Sequence, residues 1–427
     1  MAAGQVAVVG GGLAGLSAAV ELQRLGVEAE VFERGRLLGG KVTSYQVGDT
    51  EIDNGQHVYL GCFTEFRDFV ASVGLSARLR LQERFEVLLL RRGAEPCWLR
   101  AAHWPAPWHL LPALVAHRHL DWPAKLQVAW AIARARQGAP APGTCADWLA
   151  CHHQGEAARR YFWEPFLVPA LNAPLEAAAA DAARFVIATA FAGSRQSACV
   201  GFADVPLARI AEAAAKHIGR VYCRTPVAGV WEEDGRVRGL RLTDGRELPY
   251  DAVVLAVPPR QLGRLLGDPA RCGVAGLEAF QPQPIVDVHL WFDRADLEFE
   301  FAAVLDSPVQ WVFQKAPGYL CCSLSAAHDL VTRPEAELVA LCRREVSAAL
   351  PALAAVPLSR AMATRDPEAT YAPTPGLRRP GPATRYPNLA IAGAWTDTGW
   401  LATMESAVRS GRAAARWITA GGARHAA

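Results

Sequence analysis

The chain has 427 residues, 51% of them hydrophobic and 20% charged, enough for large cores and too apolar for bulk disorder. Its 44 Lys and Arg against 42 Asp and Glu leave a formal net charge of +2, with no dense basic block, which excludes nucleic acid as the main partner. No uninterrupted apolar run reaches the length of a membrane-crossing helix, so the expectation is a chain that is cytoplasmic and meets a membrane only at its surface.

Residues 5–9 (Gln5-Val6-Ala7-Val8-Val9) read as a short apolar strand, followed at once by Gly10-Gly11-Gly12-Leu13-Ala14-Gly15. An alanine-rich helix is expected over 13–25, stopped by Gly26, and a second strand over 28–32 ends at Glu33. The glycines follow G-x-G-x-x-G where a strand turns into a helix. Gly10 permits the tight turn, Gly12 admits a pyrophosphate to the backbone, and Gly15 lets helix and strand pack closely. Glu33 stands where a ribose acceptor is needed, and the helix N-terminus favours phosphate. This stretch reads as a dinucleotide site. It is not a signal peptide, because no basic residue precedes the apolar run.

A second glycine pair with a basic residue, Gly39-Gly40-Lys41, follows Arg34 and can bring N–H groups and a cation to the same pyrophosphate. A strand is expected over 42–47, then a turn, Asp53-Asn54-Gly55-Gln56-His57. A hairpin is expected over 85–100 around Arg92-Gly93-Ala94-Glu95. Residues 122–193 read as several helices broken at 137–143 and at Asn172-Ala173-Pro174. Seven of the 13 tryptophans lie between Trp98 and Trp163; that density supports a lipid site only weakly beside ordinary core packing. The stretch 98–130, with Trp104, Trp108 and Trp122 among prolines, leucines and basic residues, is the expected membrane-facing entrance.

A helix over 205–217 returns the chain to strands at 221–223 and 227–231 and a hairpin turned at Asp244-Gly245. The apolar run 251–257 suits a buried parallel sheet. Strands at 285–292, 310–313 and 319–325 with a helix over 335–350 fit a second, mixed sheet. Residues 388–393 form another buried-type strand, leading into a helix over about 402–418. The ten cysteines include Cys145-x5-Cys151-His152-His153, but no second ligand pair accompanies it, so no metal site is expected. Reduced thiols suit the cytosol.

Taken together, Gly10-x-Gly12-x-x-Gly15, Glu33-Arg34, Gly39-Gly40, the Val227 strand and the C-terminal strand-glycine-helix resemble the flavin amine oxidase and phytoene desaturase superfamily. Within it, Asp53-Asn54-Gly55-Gln56-His57 and Gly393-Ala394-Trp395-Thr396-Asp397, continuing to Met404-Glu405, are similar to the squalene-associated branch, the hydroxysqualene dehydroxylases of bacterial hopanoid biosynthesis. The resemblance implies an α/β fold: a discontinuous Rossmann-like FAD-binding domain (1–77, 200–270 and 375–427) with an inserted α+β substrate domain (78–199 and 271–374). The helical, membrane-facing part of the latter would span 98–193.

It implies FAD held at the pyrophosphate by Ala14 and Gly15, at the adenosine ribose by Glu33, and along the phosphates and ribityl chain by Arg34 and Lys41. Val227 would offer its backbone to the adenine, and Gln56 and His57 would approach the flavin ring. Asp397 would approach the ribityl or pyrophosphate, and the helix N-terminus at Met404 would favour negative charge on the reduced ring. Three positions depart from the superfamily pattern: Lys41 for arginine, Ala394 for an acid, and Ser406 for a glycine. The implied activity is reductive removal of the hydroxyl of hydroxysqualene to give squalene, in functional association with a hydroxysqualene synthase at the inner face of the membrane. His57 and Asp53 are the candidate acids, and Trp395 or Trp400 the candidate cation-stabilising faces. Two other readings share the architecture: a carotenoid-type polyene desaturase, and a prenyl-lipid-binding escort protein without redox chemistry.

Overall fold

A strand as apolar as Gln5–Val9 must be covered on both faces, and the computed structural model, which describes residues 4–136, 141–295 and 297–421, shows how. Strand β1 (Gln5–Val9) sits at the centre of a five-stranded parallel sheet, in the order Arg220–Tyr222, Glu28–Phe32, β1, Ala252–Leu255, Leu389–Ile391. Side chains alternate across it with the period of two that a pleated strand imposes. Val6 and Val8 face a core shared with helix α1 (Leu13–Arg24) and the C-terminal helix Met404–Thr419. Ala7 and Val9 face the opposite core, covered by the antiparallel strands Val227–Glu233, Arg236–Leu242 and Glu247–Pro249.

The second sheet has seven strands, ordered Leu358–Tyr371, Pro282–Phe292, Tyr319–Ser325, Trp311–Ala316, Phe301–Leu305, Glu86–Arg91 and Cys97–Arg100. All of its neighbours pair antiparallel except Phe301–Leu305 with Glu86–Arg91. One face, with Leu88, Leu90, Val312 and Leu320, packs on helix Glu335–Ala349. The other, with Val87, Leu89, Phe301 and Phe313, packs on helices drawn from the tryptophan-rich region. These include Trp122–Ala135, Cys145–Cys151 (started by a Thr144/Asp147 capping box), Glu164–Leu171 and Ala180–Val186. The first four residues of the expected break at 137–143 lie outside the described residues.

Two strands of the second sheet were not anticipated, Phe301–Leu305 and the fourteen-residue Leu358–Tyr371. The latter carries charges and Pro367, which argue against a strand. The structure accommodates them in a bulge: Ile285 pairs with Asp366 and Gln283 with Thr370, so residues 367–369 have no partners. Asp53, expected in a turn, instead ends the strand Thr50–Asp53, which pairs with Ser44–Val47.

The C-terminal helix approaches α1 closely enough that Gly411 would place a Cβ onto the Ala14 carbonyl oxygen and 2.8 Å from the Ala18 nitrogen. Ser17 Oγ donates across the same interface to the Val408 carbonyl at 3.0 Å. Gly411→Ala is therefore expected to destabilise the fold by about 2–3 kcal/mol in urea unfolding, despite alanine's better helix propensity.

Candidate active site

The turn from β1 into α1 is shaped by contacts between backbones. Gly10 has φ +108°, and a Cβ on Gly15 would overlap the Gly10 carbonyl oxygen. Neither position tolerates a side chain. At Gly12 a Cβ would meet only the backbones of Gly40 at 3.9 Å and Gly39 at 4.0 Å, so its face stays open. Helix α1 has no side-chain cap and no acid in its first turn. Its N-terminal N–H groups and positive dipole end are thus left for an anion.

The second glycine pair docks on the first. Gly39 N–H donates to the Gly11 carbonyl at 2.8 Å, and a Cβ on Gly40 would lie 3.1 Å from the Gly12 Cα. Glu33 ties the assembly together, Oε2 accepting from Gly11 N–H at 2.8 Å and Oε1 from Gly35 N–H at 2.6 Å. Its main chain pairs with Tyr222 and Thr225 at 2.8 and 2.9 Å, which brings Val227 alongside. Arg34 donates to the Gln261 side-chain oxygen at 2.8 Å, given the amide orientation that satisfies both groups. Lys41 pairs with Asp366 at 3.2 Å and donates to the Glu368 carbonyl, so it is anchored by the bulge of the second sheet.

On the far side, the loop after Gly393 is organised around Arg379. Its guanidinium donates to the carbonyls of Ala394 at 3.0 Å and Trp395 at 3.2 Å and also to those of Thr396 and Trp400. Ser406, one of the departures from the superfamily pattern, joins this network through Oγ to the Ala394 carbonyl at 3.1 Å. Glu405, the acid in the first turn of the C-terminal helix, turns away to accept from Glu65 and Phe66 N–H at 3.1 and 2.8 Å. The Met404 end of that helix therefore faces the cavity without a competing carboxylate.

These pieces enclose one cavity of ≈ 1630 Å³, above the roughly 300–1,000 Å³ of a pocket for a single small ligand. Gly10, Gly12, Ala14, Glu33, Arg34, Gly40 and Lys41 line it at one end. Gln56, His57, Val227, Gly393 and Met404 also contribute to its wall. Its other arm is aromatic, with Phe85, Phe166, Phe191, Phe301, Trp311 and Phe313. Phe191 belongs to a π-helical turn, Ile187–Phe191, a feature that recurs at functional sites.

Three of the expected site residues stand elsewhere. Gly15 lies behind the wall, where its role is packing against Gly10. Asp53 is outside it, with Oδ1 accepting from Ser44 Oγ at 2.7 Å and Leu207 N–H at 2.9 Å. This carboxylate joins a strand to the start of a helix and is not part of the cavity wall. Asp397, expected at the ribityl or pyrophosphate, is exposed, accepts from Gly399 N–H at 3.1 Å and is not part of the cavity wall. Trp395 lines the cavity but donates Nε1–H to the Val257 carbonyl at 2.9 Å. Trp400 is held edge-on by Phe63 and Phe185.

His57 is held neutral, its pKa pushed below the ordinary value chiefly by burial and only partly restored by the Gly55 carbonyl. Nδ1 lies 3.0 Å from that carbonyl, so the ring proton resides there and Nε2 is an acceptor. Asp287, on Pro282–Phe292, was missed by sequence reasoning. It lines the cavity, is 2% exposed, and its pKa is lifted to about 6, mainly by burial. The available signal was one acid inside the apolar run Ile285-Val286-Asp287-Val288.

A glycine-built anion cradle opening into an apolar arm defines a dinucleotide-dependent oxidoreductase. The model of the family of flavin containing amine oxidoreductases matches residues 13–419, and the chain belongs to that family. It is 30% identical, over 98% of its length and 99% of the relative's, to the hydroxysqualene dehydroxylase of Rhodopseudomonas palustris. It is 24% identical to the 15-cis-phytoene desaturase of Arabidopsis thaliana, over 96% of this chain and 78% of that one. Among solved structures it is similar to cyclohexylamine oxidase from Brevibacterium oxydans, with a TM-score of 0.70 at 19% identity over 98% of this chain and 99% of that one. The protein is an FAD-dependent oxidoreductase, and the open cradle at Gly12 fits that cofactor.

Two outcomes follow from this geometry. Arg379→Met removes the donors that order the loop from Ala394 to Trp400 and is expected to weaken FAD binding about 10- to 100-fold in a fluorescence titration. Asp287 binds its proton more tightly in the fold than in the unfolded chain, so its contribution to stability falls as pH rises from about 4 through about 6. Between about pH 4 and 7 the wild type should lose about 2–2.5 kcal/mol more unfolding free energy than Asp287→Asn.

Proposed function

We propose that this protein reductively removes the hydroxyl of hydroxysqualene, yielding squalene. The observation that carries the reading is the single cavity joining the glycine cradle to the aromatic arm. A C30 isoprenoid needs such an arm, since each buried CH₂ contributes about 0.8 kcal/mol. When bound, FAD in its reduced form supplies hydride.

The chain's own residues provide the rest. The cradle of Gly12, Gly39 and Gly40 with the bare end of α1 binds the pyrophosphate, and Glu33 the ribose. Gln56, His57 and the helix end at Met404 border the ring, where the helix end favours negative charge. The aromatic arm excludes water from an allylic carbon losing its hydroxyl, and its ring faces favour positive charge there.

Substrate this insoluble is best drawn from a bilayer. Among the described residues, seven of the nine large apolar side chains that stand exposed fall within 104–130: Trp104, Trp108, Leu111, Val115, Trp122, Leu126 and Trp130. Lys125 lies over the Trp122 ring at 5.0 Å and Arg134 over Trp130 at 5.5 Å, pairing interfacial aromatics with cations. No helix among the described residues is long and apolar enough to cross a membrane. The reading is peripheral attachment through this face. Helix Trp122–Ala135 packs its opposite, buried side on the π-helical turn that lines the cavity, so this one helix lies between the exposed face and the arm.

Anaerobic incubation of the protein with reduced FAD and hydroxysqualene is expected to release squalene, identified by mass spectrometry. Turnover of phytoene in place of hydroxysqualene would assign a desaturase instead. Replacing both Trp104 and Trp108 by Asp should lower binding to anionic vesicles at least about tenfold in flotation while leaving the unfolding midpoint within about 0.5 kcal/mol, since both side chains are already exposed.

A further inference from the structure

Asp287 occupies the cavity wall where the Gly55–His57 turn meets the second sheet. Its two oxygens have different surroundings. Oδ2 accepts the Gln56 N–H at 3.2 Å and lies 3.2 Å from where a Gly55 Cβ would be. Oδ1 is buried and has no hydrogen-bond partner. An ionised carboxylate oxygen in that position forfeits its hydration without compensation. Protonation relieves the cost and leaves an O–H that lacks an acceptor; since Oδ1 itself has almost no accessible surface, the carboxyl must turn to present that proton to the oxygen of a bound alcohol. The torsion about the carboxyl group is soft, so the proton can turn to a ligand without moving the strand.

The neighbours favour this assignment over the alternatives. Asp53 is occupied by Ser44 and Leu207, and His57 is a neutral imidazole whose Nδ1–H is already given to a carbonyl. The titratable groups around Asp287 are Lys315 on Trp311–Ala316, Asp366 on Leu358–Tyr371, Tyr319, Cys321 and Cys322 on Tyr319–Ser325, and Tyr45 on Ser44–Val47, with His57 on the facing Gly55–His57 turn. Lys315 is shared with Asp53 at 3.8 Å, and Asp366 is paired with Lys41 at 3.2 Å. Ser323, the register partner of Asp287, favours the charged form without closing a hydrogen bond on Oδ1. Burial outweighs these influences and keeps the carboxyl a usable acid near neutral pH.

We propose that Asp287 is the general acid that protonates the departing hydroxyl of an allylic alcohol held in the aromatic arm; this rests on the dehydroxylation reading above. The carboxyl O–H bond breaks as its proton bonds to the alcohol oxygen. The C–O bond then breaks with its electron pair staying on oxygen, and water departs. The allylic carbon is left cationic beside the new carboxylate, to be neutralised by a two-electron hydride donor, the reduced flavin.

The protonation step can be read without reduction. Holoenzyme with oxidised flavin is incubated with hydroxysqualene in ¹⁸O-water, where ionisation and recapture exchange the hydroxyl oxygen. The wild type should exchange, with a rate falling above about pH 6 to 7. Asp287→Asn should exchange at least about 100-fold more slowly while binding squalene within about threefold of wild type, and Asp287→Glu should recover part of the rate. Exchange by Asp287→Asn within about threefold of a wild type that does form squalene overturns the assignment but leaves the dehydroxylation reading standing. A wild type that neither exchanges nor reduces hydroxysqualene overturns both. Should Asp287→Asn lose its flavin, wild-type infrared spectra decide. A protonated-carboxyl band at about pH 5 that vanishes by about pH 7 upholds the assignment, and its absence at about pH 5 overturns it.

Discussion

The contact on which the molecule depends is backbone pressed against backbone at Gly10, Gly12, Gly15, Gly39 and Gly40. Because no Cβ intervenes, α1 begins close against the first strand, and the Gly39 turn reaches the Gly11 carbonyl. The cost is conformational entropy at each glycine, and the gain is a concave surface of N–H groups at an uncapped helix end. Glu33 turns that surface into a fixed object by bonding the N–H groups of Gly11 and Gly35 at once. The main chain of Glu33 pairs with Tyr222 and Thr225, which holds the start of the Val227 strand beside the same turn.

From that end the cavity changes character along its length. Main-chain donors and a few charges give way to the Gly55–His57 turn, then to aromatic rings from the second sheet and its helices. The segment 41–57 is joined to the second sheet by paired groups. Lys41 reaches Asp366 and Glu368, Gln56 N–H reaches Asp287, and Lys315 approaches Asp53. Such links hold the dinucleotide end and the apolar arm in register, which hydride transfer over about 3–3.5 Å demands. They also explain why the bulge at 367–369 exists: it brings Asp366 and Glu368 within reach of Lys41 and tolerates Pro367.

Much of the dinucleotide end was legible in the sequence because its signals are local. The glycine spacing, the strand before it and the acid after it all act within thirty residues of one another, and each has a steric or electrostatic reason. The buried strands at 252–255 and 389–391 were equally plain from apolar content. The substrate end was not, because its wall is assembled from side chains distant in sequence. Strand Leu358–Tyr371 was hidden by its charges and proline, whose cost is relieved only by a bulge against Pro282–Phe292. Asp53 and Asp397 stand beside the right motifs but outside the cavity wall, where Ser44, Leu207 and Gly399 engage them. Asp287 was overlooked for the opposite reason, lying in a strand that otherwise reads as core.

The central claim is that FAD and a long apolar ligand share one cavity, meeting beside Gln56 and His57. A crystal structure with FAD and squalene together tests it most directly. The account predicts the flavin ring against Gln56, His57 and Met404, with squalene running from there along Phe166, Phe191 and Phe313. Squalene found outside that arm, or FAD found away from the Gly12 and Gly40 cradle, would contradict it.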